Sequence, residues 1–211
     1  MNETVLWDYP KSSACYRVRI GLNLAKLQYQ TEHVNLLERA HRSPDHLARN
    51  PQGLVPVLDI DGNRLTQSLA ILEYLDTIRN LGLLPEAPAQ KAKARALAYS
   101  IAIDLHPVCN MSVANHATGG KEPARTNWMR QFIRPALEGF ERNLLQFEAS
   151  PIADNSTPSL ADICLIPQLY NARRWDVDYQ DLKRIIAIET RCSAMPAFQK
   201  AHPDNMASPA V

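Results

Sequence analysis

"LVPVLDIDGNRLTQS", residues 54–68, decides the fold. Its Asp61-Gly62 pair stands between two apolar runs. Such a pair is the strongest short-range signal for a two-residue β-hairpin, because both central positions of the favoured turn need a positive φ. Pro56 lies within the first hairpin strand and has no N–H for a ladder, so it requires an edge position or a cis peptide bond. Immediately downstream, "SLAILEYLDTIR" (68–79) sets Leu69, Leu72, Leu75 and Ile78 close to one helical face. Upstream, "TVLWDY" (4–9) reads as a short apolar strand and "YQTEHVNL" (29–36) as a second. Between them the stretch from Tyr16 to Lys26 carries Val18, Leu22 and Ala25 at helical spacing. The order is β-α-β, then a hairpin, then a helix.

Beyond Asn80 the composition shifts. "NLGLLPEAPAQ" is a proline-containing connector, and the chain after it reads as helical. "AQKAKARALAYSIAIDL" (89–105) is rich in alanine and other strong helix formers, and "WMRQFIRPALEGFERNLLQF" (128–147) carries another helical repeat. "TPSLADICLIPQLY" (157–170) opens with Ser159-x-x-Asp162. In that variant capping box the serine hydroxyl accepts from a first-turn amide and the acid reaches back to the cap. The expected organisation is an α/β domain over 1–80, a linker over 81–88 and an all-α domain over 89–211. No internal repeat is evident, and the tail "HPDNMASPAV" (202–211) is expected to be loosely ordered.

The balance of charge narrows the partners. With 23 Lys+Arg against 22 Asp+Glu and no basic stripe, nothing attracts a phosphate backbone, so no nucleic-acid partner is expected. No apolar stretch reaches the ~18 to 20 residues of a membrane span, and "MNETVLWDYP" has no basic segment leading into an apolar one. A cytoplasmic location with no membrane partner is the expectation. Cys15, Cys109, Cys164 and Cys192 show neither CxxC nor CxxH spacing, so neither a disulfide framework nor a metal site is signalled.

"KSSACYRVRIG" (11–21) concentrates hydroxyls and a thiol where a strand passes into a helix. A helix N-terminus offers amides without internal partners and a partial positive charge, which favours anions. Ser12 or Ser13 could serve there simply as an N-cap. An attacking serine would need a base, and the local segment holds neither His nor Asp to supply one. Cys15 lies a turn inside the helix, where the dipole helps a thiolate less. A hydroxyl that donates a hydrogen bond to a thiolate carried by a cofactor meets the chemistry better.

"SSACYRVRIGL" resembles the SSCxWRVRIAL signature of the zeta-class glutathione transferases, the family of the maleylacetoacetate and maleylpyruvate isomerases. The likeness continues through "NPQGLVPVLDIDG", "QSLAILEYL", "LLPEAP" and "SLADICLIPQLYNARRWDVD", nearly the whole chain. It implies a thioredoxin-like N-terminal domain, a helical C-terminal domain, glutathione as cofactor and a homodimer. Carried over position by position, Ser12 and Ser13 match the serines near the glutathione sulfur. Val55 and a cis Pro56 match the main-chain edge for the cysteinyl part, and Gln67 and Ser68 match the pair that holds the γ-glutamyl end. His41, His106, Asn110, Met111 and Ser112 match further glutathione contacts, Met111 through its backbone. Arg174 matches the arginine that takes a substrate carboxylate, with Arg173 as its solvent-facing neighbour, and Lys11 would assist electrostatically. The chain departs from the signature at Ala14, where the family has cysteine, and at Tyr16, where it has tryptophan.

The activity implied is glutathione-dependent cis-trans isomerisation of a dicarboxylic keto acid, maleylacetoacetate to fumarylacetoacetate, as in tyrosine and phenylalanine catabolism. Maleylpyruvate is the alternative acid, and conjugation or dehalogenation of small α-halo acids would use the same thiolate. Thiol-disulfide exchange through Cys15 is disfavoured because Ser12 occupies the leading position of a CxxC-like pattern. A non-catalytic glutathione-binding module is the rival from outside enzymology.

Overall fold

The computed structural model describes residues 3–147 and 158–206. The chain divides into two compact units, one of Met1–Leu81 with Met195–Val211 and one of Gly82–Ala194. The first holds a four-stranded sheet of order β2-β1-β3-β4, built from β1 (Val5–Asp8), β2 (Gln30–His33), β3 (Val57–Ile60) and β4 (Asn63–Thr66). β1 runs parallel to β2, with Val5 opposite Gln30, and antiparallel to β3, with Leu6 opposite Leu58. The parallel pair requires a crossover, supplied by α1 (Ser13–Leu24). β3 and β4 form the expected hairpin, with Asp61 at φ 52° and Gly62 at φ 77°. Glycine meets that second angle at no steric cost.

α2 (Pro44–Arg49) and α3 (Ser68–Arg79) complete this part of the chain, α3 with the bounds read from its periodicity. Leu6, Leu58 and Ile60 of the sheet pack with Val18 and Leu22 of α1 and with Ile71 and Leu75 of α3, all buried. Val18, Leu22 and Leu75 of the predicted stripes lie in this core with Ile78 partly buried against it, whereas Ala25 and Leu69 lie outside it and Ile71 joins it from beside the stripe. Pro56 follows a cis peptide and sits one residue before β3, outside the ladder rather than inside the strand as expected.

The second unit contains α4 (Pro88–Tyr99), α5 (His106–Val108), α6 (Met111–Thr118), α7 (Ala124–Asn143), α8 (Leu160–Arg174) and α9 (Lys183–Ser193). The single helix expected over 89–105 is instead α4 followed by a π-helical turn, Ser100–Leu105. At α8 both halves of the capping box form: the Asp162 amide donates to Ser159 Oγ at 3.2 Å, and the Ser159 amide donates to Asp162 Oδ2 at 2.8 Å. Thr157, where this helical stretch was expected to open, lies outside the described residues. Burial pushes the Asp162 carboxyl up to about 7 despite those bonds. Leu160 through Leu169 are all buried, so α8 is the central helix of its unit. Among the described residues no helix is long and apolar enough to cross a membrane.

α10 (Pro196–Ala201) belongs with the first unit, whereas the sequence reading placed everything after residue 88 in the helical domain. The reason is polar. Arg19 Nε donates to Ala201 O at 3.0 Å and Asn23 Nδ2 to Ala197 O at 3.0 Å, so α1 holds the returning helix by its carbonyls. Of the tail expected to be loose, Pro203–Asn205 forms a 3-10 turn, and residues 207–211 lie outside the described residues.

Arg19 also forms the deepest ion pair of the unit. Its Nη1 meets Asp8 Oδ1 at 2.7 Å and Oδ2 at 2.9 Å, and its Nη2 donates to Pro10 O at 2.9 Å. Both side chains are essentially inaccessible to solvent. Removing one partner of a buried pair strands the other charge at a cost of about 3–5 kcal/mol. Arg19→Met is therefore expected to lower stability by about that amount in urea unfolding. The double variant Asp8→Asn, Arg19→Met should recover part of the loss, because no lone carboxylate is then left buried.

Candidate active site

Ser12 has extended backbone angles, φ −77° and ψ 120°, and is the N-cap of α1; Ser13 is the first helical residue. Of the two serines that could cap the helix, Ser12 is therefore the one that does. The Cys15 amide donates to Ser12 Oγ at 3.3 Å, which uses a lone pair of the hydroxyl, and the hydroxyl is also within hydrogen-bonding reach of the Cys15 thiol. Ser12 is half-buried and Lys11 exposed. Cys15 itself is fully buried, and burial, reinforced by the charge of Asp8, pushes its thiol far up. A neutral, inaccessible thiol neither attacks nor exchanges disulfides. This removes the thiol-disulfide reading.

The segment before β3 is set by polar contacts that no motif announced. His46 Nε2 lies 3.0 Å from Leu54 O, and Asn50 Nδ2 donates to the same carbonyl at 2.9 Å. Asn50 Oδ1 accepts from the Gln52 amide at 3.1 Å, an Asx turn. The signal was "NPQG" (50–53), a cluster of turn-forming residues. Gly53, at φ 63°, lies so close to His41 that a Cβ would stand 3.0 Å from the His41 carbonyl oxygen. These bonds fix the main chain entering Val55 and Pro56. His41 Nδ1 is buried with no partner among the described residues. Burial first, then Arg42, His46 and Arg39, lower its pKa, so the imidazole is neutral and offers hydrogen bonds rather than charge.

Gln67 precedes α3 at φ 67° and ψ 110°, a conformation uncommon outside glycine. Its side chain does not cap the helix; Nε2 donates to Gln52 Oε1 at 3.0 Å. Ser68 is therefore the first helical residue rather than the N-cap, and it is buried. The first-turn amides of α3 are left without a side-chain acceptor, which suits a carboxylate.

In the second unit His106 begins α5 directly after the π-helical turn and is half-buried. Asn110 is the N-cap of α6: its Oδ1 accepts from the Ser112 amide at 3.0 Å and from Ser112 Oγ at 2.9 Å. The polar groups of Asn110 and Ser112 thus already serve one another, whereas Met111 is exposed.

Arg174 ends α8 and is exposed, with no hydrogen bond or ion pair among the described residues. Arg173 is the committed one of the two: its Nη1 donates to Tyr179 Oη at 2.8 Å and pairs with Glu189. Arg173 is exposed, as expected of the solvent-facing neighbour, and is in addition held by these two partners. The helix closes in a Schellman motif, with the Val177 amide on Ala172 O at 3.0 Å and the Asp176 amide on Arg173 O at 3.2 Å. Asp176 takes the left-handed position, φ 51°, usually held by glycine.

These groups fit a thiol tripeptide. They comprise a half-buried hydroxyl at a helix N-terminus, a fixed main-chain edge at Val55, a neutral imidazole with a nitrogen unpartnered among the described residues and a helix start at Ser68 with no side-chain cap. Comparison with known proteins agrees with that chemistry. Residues 3–77 match the model of the glutathione S-transferase N-terminal domain. A maleylacetoacetate isomerase of Rhizobium meliloti (strain 1021) is 54% identical over 207 residues, 96% of this chain and 97% of the relative. The holo structure of a maleyl pyruvate isomerase, a bacterial glutathione transferase in the Zeta class, superposes with a TM-score of 0.90 at 32% identity, covering 98% of this chain and all of the other. A maleylacetoacetate isomerase of Methylobacterium extorquens AM1, with bound malonate and glutathione, superposes at 0.87 with 34% identity over 98% of this chain and 100% of that one. The chain belongs to the glutathione transferase family.

The double use of Ser12 can be separated by substitution. Ser12→Ala removes the cap acceptor and should cost about 1 kcal/mol of stability, whereas Ser12→Asp keeps an acceptor and should cost little. Urea unfolding of both variants checks this.

Proposed function

We propose that the protein is a glutathione-dependent isomerase that converts maleylacetoacetate to fumarylacetoacetate. The observation that carries this is the half-buried Ser12 hydroxyl at the start of α1, which accepts from the Cys15 amide and can donate to a thiolate, a stronger acceptor than the neutral Cys15 thiol beside it. When bound, glutathione supplies a thiolate whose reversible addition to the cis double bond permits rotation to the trans form, and glutathione is not consumed. Every other task falls to the chain.

Ser12 donates to the thiolate and so favours ionisation. Lowering a thiol pKa of ~8.5 by ~2 units needs about 2.7 kcal/mol. A hydrogen bond to a charged group contributes about 1.5–3 kcal/mol and the start of α1 about 0.3–1 kcal/mol, together of the required size. No general base is needed. Ser13 supports Ser12 at the same helix start. Val55 and Pro56 offer the main-chain edge, Gln67 and Ser68 the γ-glutamyl end, and His41 a neutral hydrogen-bonding partner. His106, Asn110, Met111 and Ser112 are assigned to glutathione as well, Met111 through its backbone. Arg174 takes a substrate carboxylate with paired hydrogen bonds, supported by its having no partner among the described residues, and Lys11 adds positive charge.

Similarity to the Zeta-class maleyl pyruvate isomerase supports maleylpyruvate as a second substrate of the same chemistry. The 54% identity to the Rhizobium isomerase favours maleylacetoacetate. A homodimer in the cytoplasm is the working assignment for the assembled enzyme.

The test follows both acids spectroscopically with and without glutathione, for the wild type and Ser12→Ala across pH. Isomerisation of maleylacetoacetate should require glutathione, and Ser12→Ala should lose most at neutral pH and least at alkaline pH, where the thiol ionises unaided. Glutathione binding without isomerisation of either acid would contradict the assignment, and an equal loss at every pH would remove Ser12 from thiolate stabilisation.

A further inference from the structure

α7 touches, at their main chains, both stretches of the second unit to which ligand contacts are assigned. Trp128 Nε1 donates to Val108 O at 3.0 Å, just before the stretch beginning at Asn110. Five residues from Arg125 the same helix reaches the end of α8: Arg130 Nε donates to Trp175 O at 2.8 Å, and its Nη2 approaches Asp176 Oδ2 at 3.4 Å. Arg125 lies over the Trp175 ring, 5.8 Å from its centroid, and donates to Asn115 Oδ1 at 3.3 Å on α6. Arg134 continues the row, donating to Asp178 O at 2.8 Å and pairing with Asp181.

The end of a helix is where this clamping matters. The last four carbonyls have no helical partner and terminal residues fray. Arg174 is the last residue of α8, and its neighbour Trp175 is the one whose carbonyl Arg130 holds. Asp176 adopts a left-handed conformation that a residue with a Cβ holds only against steric resistance. Arg130 bonds both residues of that turn, one through its carbonyl and the other through its carboxylate. Tyr179 and Glu189 restrain Arg173 on the preceding side. Arg174 alone in this stretch keeps an uncommitted guanidinium.

We infer that Arg130 is a positioning residue for substrate recognition: by clamping the Trp175-Asp176 turn it holds the end of α8 so that Arg174 meets the substrate carboxylate already oriented. This rests on the assignment of Arg174 to the carboxylate. Pre-ordering a charged fork lowers what must be immobilised on binding, so its loss falls on substrate affinity. Arg130 is half exposed, and the expected effect is that of one net hydrogen bond rather than of a buried charge.

The experiment is a kinetic cycle with Arg130→Met, Arg130→Lys, Arg174→Ala and the double variant Arg130→Met, Arg174→Ala, assayed with maleylacetoacetate at saturating glutathione. Arg130→Met is expected to raise KM for maleylacetoacetate about three- to ten-fold, the equivalent of one net hydrogen bond, with kcat and the KM for glutathione moving less. Arg130→Lys should restore part of the affinity through a single donor to Trp175 O. In the Arg174→Ala background the Arg130 substitution should add nothing. If Arg174→Ala raises KM but Arg130→Met does not, or the two effects simply add, the positioning role is overturned. If Arg174→Ala itself leaves KM unchanged, the carboxylate assignment falls and the inference with it.

Discussion

The buried Arg19–Asp8 pair is the constraint on which the first unit depends. One planar guanidinium binds the end of β1 through the Asp8 carboxylate, the following turn through Pro10 O and the returning C-terminal helix through Ala201 O. A lysine could not span these acceptors, because the fork geometry of the guanidinium is what meets them all at once. The turn it holds leads straight into Ser12. The N-cap position of Ser12, and with it the direction of the first amides of α1, therefore follows from a contact made seven residues further along that helix.

Capping is the recurrent device by which this chain places chemistry. Ser12, Asn110 and Ser159 each accept from a first-turn amide. Their consequences differ. Ser159 is locked with Asp162 inside the protein, and Asn110 is occupied with Ser112. Ser12 is half-buried, beside the neutral Cys15 thiol. The same residue type at the same helical position is closed off at Ser159 and open to a ligand at Ser12 because of where its hydroxyl is exposed. Cys15 shows the converse: it supplies the amide that orients Ser12, while its buried thiol stays protonated.

Much of this was legible in the chain itself. A short apolar run located β1, the 3.6-residue periodicity located α3, the Asp61-Gly62 turn located the hairpin, and Ser159-x-x-Asp162 located the start of α8. What pattern reading missed depends on contacts between residues far apart in sequence. Arg19 bonds Ala201, so no local signal could assign α10 to the first unit. Arg173 is the exposed charge its sequence suggests, but its pairing with Tyr179 and Glu189 had no local signal. Which of Ser12 and Ser13 caps the helix depends on where α1 begins, and boundaries are the least certain part of any periodic pattern. The polar clamp of His46 and Asn50 on Leu54 O had only turn composition as its sign. Motif resemblance supplied the ligand and the activity, which periodicity could not.

The account turns on a serine that donates to a thiolate, and the titration of glutathione bound to the enzyme tests this most directly. Followed by the ultraviolet absorbance of the thiolate, the bound thiol of the wild-type enzyme should ionise about 2 units below its free value of ~8.5, and that of Ser12→Ala close to it. The same titration curve for both proteins would contradict the account.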